Sequence, residues 1–125
     1  MLGIIEPSAL EELLNNILHK NHTKIIEFIS IARDYESEMI IDELTLYLKE
    51  MLLSQNSKFT PIIIERFFRI LSDSKQLLSI GSDGEFVLSL MLFKMIEATN
   101  IQDIDAMIKT LESELKGITP TTQET

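Results

Sequence analysis

Phe86-Val87-Leu88-Ser89-Leu90-Met91-Leu92-Phe93-Lys94-Met95-Ile96 follows the turn-forming quartet Gly81-Ser82-Asp83-Gly84 and has only two polar residues, Ser89 and Lys94. Wound as a helix, this run has apolar residues on nearly every side, which is the pattern of an element enclosed by others. It is therefore expected to be the most buried helix of an α-helical core. The same two polar residues keep the run short of the ~18 apolar residues needed to cross a bilayer.

Upstream and downstream of this run the apolar residues recur in steps of three and four, and five more helices follow from that spacing. Ser8 and Glu11 form an S-x-x-E capping box ahead of Leu10, Leu13, Leu14, Ile17 and Leu18, which predicts a first helix to about Lys20. After a polar joint, Asn21-His22-Thr23, the stripe Ile25, Ile26, Phe28, Ile29 and Ala32 predicts a second helix ending near Tyr35. Acidic residues from Glu36 to Glu38 suit the positive end of a third helix, whose inward face is Ile40, Ile41, Leu44, Tyr47, Leu48, Met51 and Leu52, reaching about Ser54. Ser54 to Lys58 is a polar loop. Thr60-Pro61 then supplies an N-cap followed by proline at the first helical position, with Phe59 placed to staple onto Ile64. The fourth helix presents Ile64, Phe67, Phe68, Leu71 and Leu78, and Gly81 is placed to end it in a left-handed conformation. The sixth helix opens at Asn100, repeats Ile101, Ile104, Ile108, Leu111 and Leu115, and closes at Gly117. No repeat of solenoid length occurs, and the stripes are too interrupted for a coiled coil.

The length of 125 residues allows one core and excludes a two-domain enzyme. Four glycines and three prolines leave little for the turns of an all-β fold or for a phosphate-cradling loop. With 11 Lys+Arg against 20 Asp+Glu the net charge is −9, so the chain repels a phosphate backbone, and direct nucleic-acid binding is not expected. The absence of cysteine removes disulfides, thiolate nucleophiles and Cys-based zinc sites, and it fits a reducing compartment. The opening Met1-Leu2-Gly3-Ile4-Ile5-Glu6-Pro7 has neither the basic segment nor the apolar length of a signal peptide, so a cytoplasmic location is expected.

No group of side chains stands out as catalytic, cofactor-binding or metal-binding. His19 and His22 are three apart, with Glu11 and Glu12 upstream, but they straddle a helix end and fall short of the three or four ligands that a metal requires. Without a secretory signal, the Asn21-His22-Thr23 sequon has no meaning. The acidic pairs Glu11-Glu12, Asp34 with Glu36 and Glu38, Asp42-Glu43, and Asp103 with Asp105 lie at helix starts or on polar faces, where solvation explains them. Ser8, Ser30, Ser54, Ser72, Ser74 and Ser79 lack a nucleophile-elbow context. Arg66, Arg69 and Lys75 alternate with Glu65 and Asp73, as an ion-paired helix face does. The P-loop pattern is missing, so the chain is not expected to be an enzyme, and neither a cofactor nor a metal is implied. Met91 and Met95 lie on one face of the fifth helix, and Met39 and Met51 belong to the third, which suits either a core or an adaptable groove.

The Met1-Leu-Gly-Ile-Ile-Glu-Pro opening with Leu10-Glu-Glu-Leu-Leu, the long Ile64-Glu-Arg-Phe-Phe-Arg-Ile-Leu-Ser-Asp-Ser-Lys-Gln-Leu-Leu stretch and Leu88-Ser-Leu-Met-Leu-Phe-Lys-Met together resemble the third domain of the bacterial DNA polymerase III gamma/tau subunit. The resemblance spans roughly Met1 to Glu114. It departs at Ser89, where the family often has an acidic residue, and at Lys94, where arginine is common. It implies an all-α bundle of about six helices of the clamp-loader collar type. Residues 1–6 would then end a connection from a preceding lid domain, 7–117 would form the collar, and 118–125 would be a flexible tail. The implied role is assembly: helix-to-helix contacts with other gamma/tau copies, delta and delta-prime subunits, or a homo-oligomer, in support of sliding-clamp loading. The alternative is a stand-alone helical adaptor that takes an amphipathic partner helix. Residues 1–55 carry 4 Lys+Arg and 10 Asp+Glu, net −6, while residues 56–125 carry 7 and 10, net −3. The second half, with the faces of the fourth and fifth helices, is therefore the expected contact side.

Overall fold

The computed structural model describes residues 5–55 and 58–118, and only the backbone for 101–106, 117 and 118. Six α-helices account for almost all of it: α1 (Pro7–Leu18), α2 (His22–Ala32), α3 (Ser37–Ser54), α4 (Pro61–Ser79), α5 (Gly84–Ala98) and α6 (Asn100–Ile118). Among the described residues there is no strand. Helices α1 with α2 and α3 with α4 pack as neighbouring pairs, and α5 runs between them, touching each of the other five. The all-round apolar composition of α5 has two outcomes. Val87, Leu88, Met91, Leu92, Met95, Ile96 and Ala98 are buried, whereas Phe86, Leu90 and Phe93, on the opposite side, are exposed.

Local chemistry sets the helix ends. Thr60 caps α4 by accepting from the Ile63 amide at 3.3 Å, with Pro61 at the first position. At the other end the Gly81 amide donates to Leu78 O and the Ser82 amide to Leu77 O, with Gly81 at φ +91°. This is the paired-bond stop that glycine accommodates most easily. Asp83 caps α5 by accepting from the Phe86 amide at 2.9 Å. The first helix departs from the capping-box expectation: Pro7 occupies the first turn, Glu6 is the N-cap without a side-chain bond, and Ser8 lies inside the helix. Proline's fixed φ and missing amide hydrogen favour the earlier start. That helix also stops at Leu18, because Lys20 adopts φ +55° and the Lys20 and Asn21 amides donate to Ile17 O and Asn16 O. The polar joint is in fact a cap, since Asn21 Oδ1 accepts from the Lys24 amide at 3.2 Å and α2 begins at His22. The second helix ends at Ala32, short of Tyr35.

The core joins Leu10, Leu13, Leu14 and Ile17 of α1 to Ile25, Phe28 and Ile29 of α2, and Ile40, Ile41, Leu44 and Leu48 of α3 to Ile63, Ile64, Phe67 and Leu71 of α4. Phe59 is buried in front of α4, its ring edge-on to Phe67 with centroids 5.0 Å apart. Two residues expected inside are not: Ile26 and Leu52 are exposed, because each lies at the margin of its stripe. Ile63 and Ser74 are buried in addition, and Ser74 satisfies its hydroxyl on Ile70 O at 2.8 Å. Of the stretch read as a connection, residues 1–4 lie outside the described residues and Ile5 is packed into the core. Of the stretch read as a tail, Ile118 ends α6 and 119–125 lie outside the described residues.

Candidate functional site

The sixth helix holds the most unusual surface. Met107, Ile108, Leu111 and Leu115 are 62, 47, 51 and 55 % exposed, and every described side chain of α6 from Met107 to Lys116 is open to solvent. The repeat Ile108, Leu111 and Leu115 that marks the helix in the sequence is thus a surface stripe. The centre of the bundle is already filled by α5. The side chains of Ile101 and Ile104 lie outside what is described. A stripe of this kind is what an amphipathic helix buries when it has a partner.

A second apolar surface lies on α5, where Phe86, Leu90 and Phe93 follow one another at helical spacing. The His22 ring leans on Phe93 with centroids 5.8 Å apart, and Ile26, one turn further along α2, is also exposed. Ser89 bonds back to Glu85 O at 2.8 Å within its own helix. The outer face of α4 is different, with exposed apolar residues only at its ends, Ile62 and Ile80, and Glu65, Arg66, Arg69, Asp73 and Gln76 between them.

The charged residues serve as ties between helices. Arg33 at the end of α2 grips Glu85 of α5 through two bonds, Nε to Oε1 at 2.9 Å and Nη2 to Oε2 at 3.0 Å, and this pairing raises the Arg33 pKa further. Lys75 of α4 reaches α3, at 2.7 Å from Asp42 and 3.8 Å from Glu38, and hydrogen bonding to Asp42 raises its pKa. Arg69 pairs with Glu65 one turn away at 3.1 Å. Arg69 and Lys75 are thus engaged with separate acids, and the basic trio does not converge on one point. All these pairs are exposed, where water screens them and they add little to stability.

The roomiest hollows among the described residues accompany these surfaces. One, of about 380 Å³, lies between α1 and α3 over Leu14, Met51 and Phe59, with Glu11 and Glu50 on its rim. Tyr47 lines it, and burial, reinforced by the Glu11 carboxylate, raises the phenol pKa above its ordinary 10.0. A second, of about 370 Å³, is the groove between α3 and α4 over Ile41, Phe68 and Leu71, edged by Lys49 and Lys75. The third, of about 490 Å³, lies along the last turns of α4 beside Asp73 and Ile80.

The candidates for chemistry stay apart. His19 is bound through Nδ1 to Asn15 O at 2.8 Å, whereas His22 is stacked against Phe93. Among the described residues no three His, Cys, Asp or Glu side chains group as a metal would require. Met91 and Met95 are fully buried in the core and Met39 is packed against it, which leaves only Met51 in a hollow and removes the methionine-lined groove. No described helix is long and apolar enough to cross a membrane. No family model matches the chain, and no curated protein or solved structure is significantly similar to it.

Proposed function

We propose that this chain is a helical assembly module that joins to other subunits through α6, and that its parent is a clamp-loader subunit of the gamma/tau kind, in which it serves as the collar domain. The observation that carries the assembly reading is the bare stripe Met107, Ile108, Leu111 and Leu115 on a 19-residue helix. Taking roughly 100 Å² of apolar area for each of the four side chains, covering the stripe removes about 400 Å² from water, worth about 10 kcal/mol before the costs of association. An uncovered helix of this length is marginal in water, so a partner that covers the stripe also stabilises the helix.

The clamp-loader part of the reading rests on the stretches Ile64 to Leu78 and Leu88 to Met95, which resemble the family's core helices. In the structure they form the adjoining helices α4 and α5. An assembly role is compatible with side chains that are engaged in capping, ion pairing and packing and do not gather into a reactive group.

Light scattering after size exclusion tests both parts. The chain alone should gain mass with concentration, and with delta and delta-prime subunits it should elute in a common peak, with ATP having no effect. A chain that stays monomeric at every concentration and ignores both subunits would overturn the proposal.

A further inference from the structure

The α6 stripe requires a landing surface, and we infer that it is the α3–α4 groove of a second copy of this chain. The inference rests on the assembly reading above. Three features of the groove match the helix: depth, length and charge.

The groove offers about 370 Å³ over an apolar floor of Ile41, Phe68 and Leu71, enough to seat the ridge of a helix. Its lining runs from Ile41 to Lys49 on α3 and from Phe68 to Lys75 on α4, about 10–12 Å at 1.5 Å per residue. The stripe from Ile108 to Leu115 spans seven residues, about 10.5 Å on the same rise.

Charge decides between the hollows. At about 100° per residue Glu112 and Glu114 lie on opposite shoulders of the stripe, with Lys109 and Lys116 further round the helix. Both carboxylates are exposed and neither has an ion-pair partner among the described residues. The α3–α4 groove carries Lys49 on one wall and Lys75 on the other, and Lys75 is already held by Asp42 and Glu38 of α3. Its two lysines balance those two carboxylates, so the groove is less acidic than a chain whose net charge is −9. Lys49 has no ion-pair partner among the described residues, so it can answer a carboxylate brought by the helix. The α1–α3 cleft sets Glu11 and Glu50 against one cation, Lys58, which is bonded to Asn15, and the hollow along α4 has Asp73, so both stay net acidic and meet Glu112 and Glu114 less favourably. Each copy carries one helix and one groove, so the contact is heterologous and adds copies head to tail.

The chain has no cysteine, so single cysteines report positions without interference. Full-length S72C, on the groove, and E112C, on the shoulder of the stripe, are mixed and treated with a short bismaleimide. The expected result is an S72C–E112C adduct, and little adduct with S113C on the far side of α6. Lys49→Glu should weaken self-association about tenfold, and the same chain carrying Lys49→Glu with Glu112→Lys and Glu114→Lys should recover it. If association persists unchanged in Lys49→Glu and E112C instead links to S89C on α5, the groove is overturned as landing site while self-assembly stands. If the unmodified chain remains monomeric throughout, self-assembly and this inference fall together.

Discussion

Two helices of this bundle end with the same pair of backbone bonds, and one substitution at each gives a prediction with opposite signs. At the end of α4 the left-handed residue is Gly81, φ +91°, and at the end of α1 it is Lys20, φ +55°. An added Cβ at Gly81 meets nothing within 4 Å, so the cost of Gly81→Ala is conformational alone. A non-glycine residue in the left-handed region costs about 1–2 kcal/mol, and the alanine chain loses less entropy on folding, which offsets about 0.5–1 kcal/mol. The net expectation is a loss of about 1 kcal/mol for Gly81→Ala and a gain of about 0.5–1 kcal/mol for Lys20→Gly. For a domain of this size 1 kcal/mol moves the melting temperature by about 3–5 °C, well resolved by circular dichroism at 222 nm, with urea unfolding as an independent measure. Equal stability of Gly81→Ala and the parent would refute the reasoning, as would a Lys20→Gly chain less stable than the parent.

Phe67 is fully buried and edge-on to Phe59, so Phe67→Ala should cost about 3–5 kcal/mol in urea unfolding, and a loss below 1 kcal/mol would mean that the α4 core is not packed as described. A Cβ at Gly84 would collide with Ser37 Oγ, so Gly84→Ala should destabilise the α3–α5 contact, and its cost should shrink in a Ser37→Ala background. Burial and Glu11 raise the Tyr47 phenol, so the folded state holds that proton more tightly than the unfolded chain. Stability from this source is intact below about pH 10 and declines as pH rises through the folded pKa, and absorbance at 295 nm should lose its late component in Tyr47→Phe.

The parts legible from sequence are those fixed by near neighbours. Thr60-Pro61 and Gly81 punctuate α4 as expected because a cap, a proline and a left-handed glycine act within one turn. The stop after α1 was hidden because a lysine occupies a position where glycine is the usual signal. Asn21 looked like a joint because the residues that follow it, His22 and Thr23, are polar although already helical. Ties across helices, such as Arg33 with Glu85, separated by 52 residues, depend on packing that spacing does not reveal. The largest difference concerns α6. Periodicity identifies an apolar face but is the same whether the face meets its own core or another molecule, so the spacing of Ile108, Leu111 and Leu115 does not tell that they lie outside. The contact side expected from charge, the faces of the fourth and fifth helices, differs from the barest apolar stripe, which lies on α6.

The α6 stripe therefore carries the central claim, and sedimentation equilibrium of the full chain beside the Leu111→Glu, Leu115→Glu double variant tests it most directly. Both positions are about half exposed, so the variant should fold with nearly the stability of the parent. The account predicts that the parent gains mass with concentration and that the variant remains a monomer over the same range. Equal association of the two folded proteins, or a parent that never associates alone or with delta and delta-prime subunits, would contradict it.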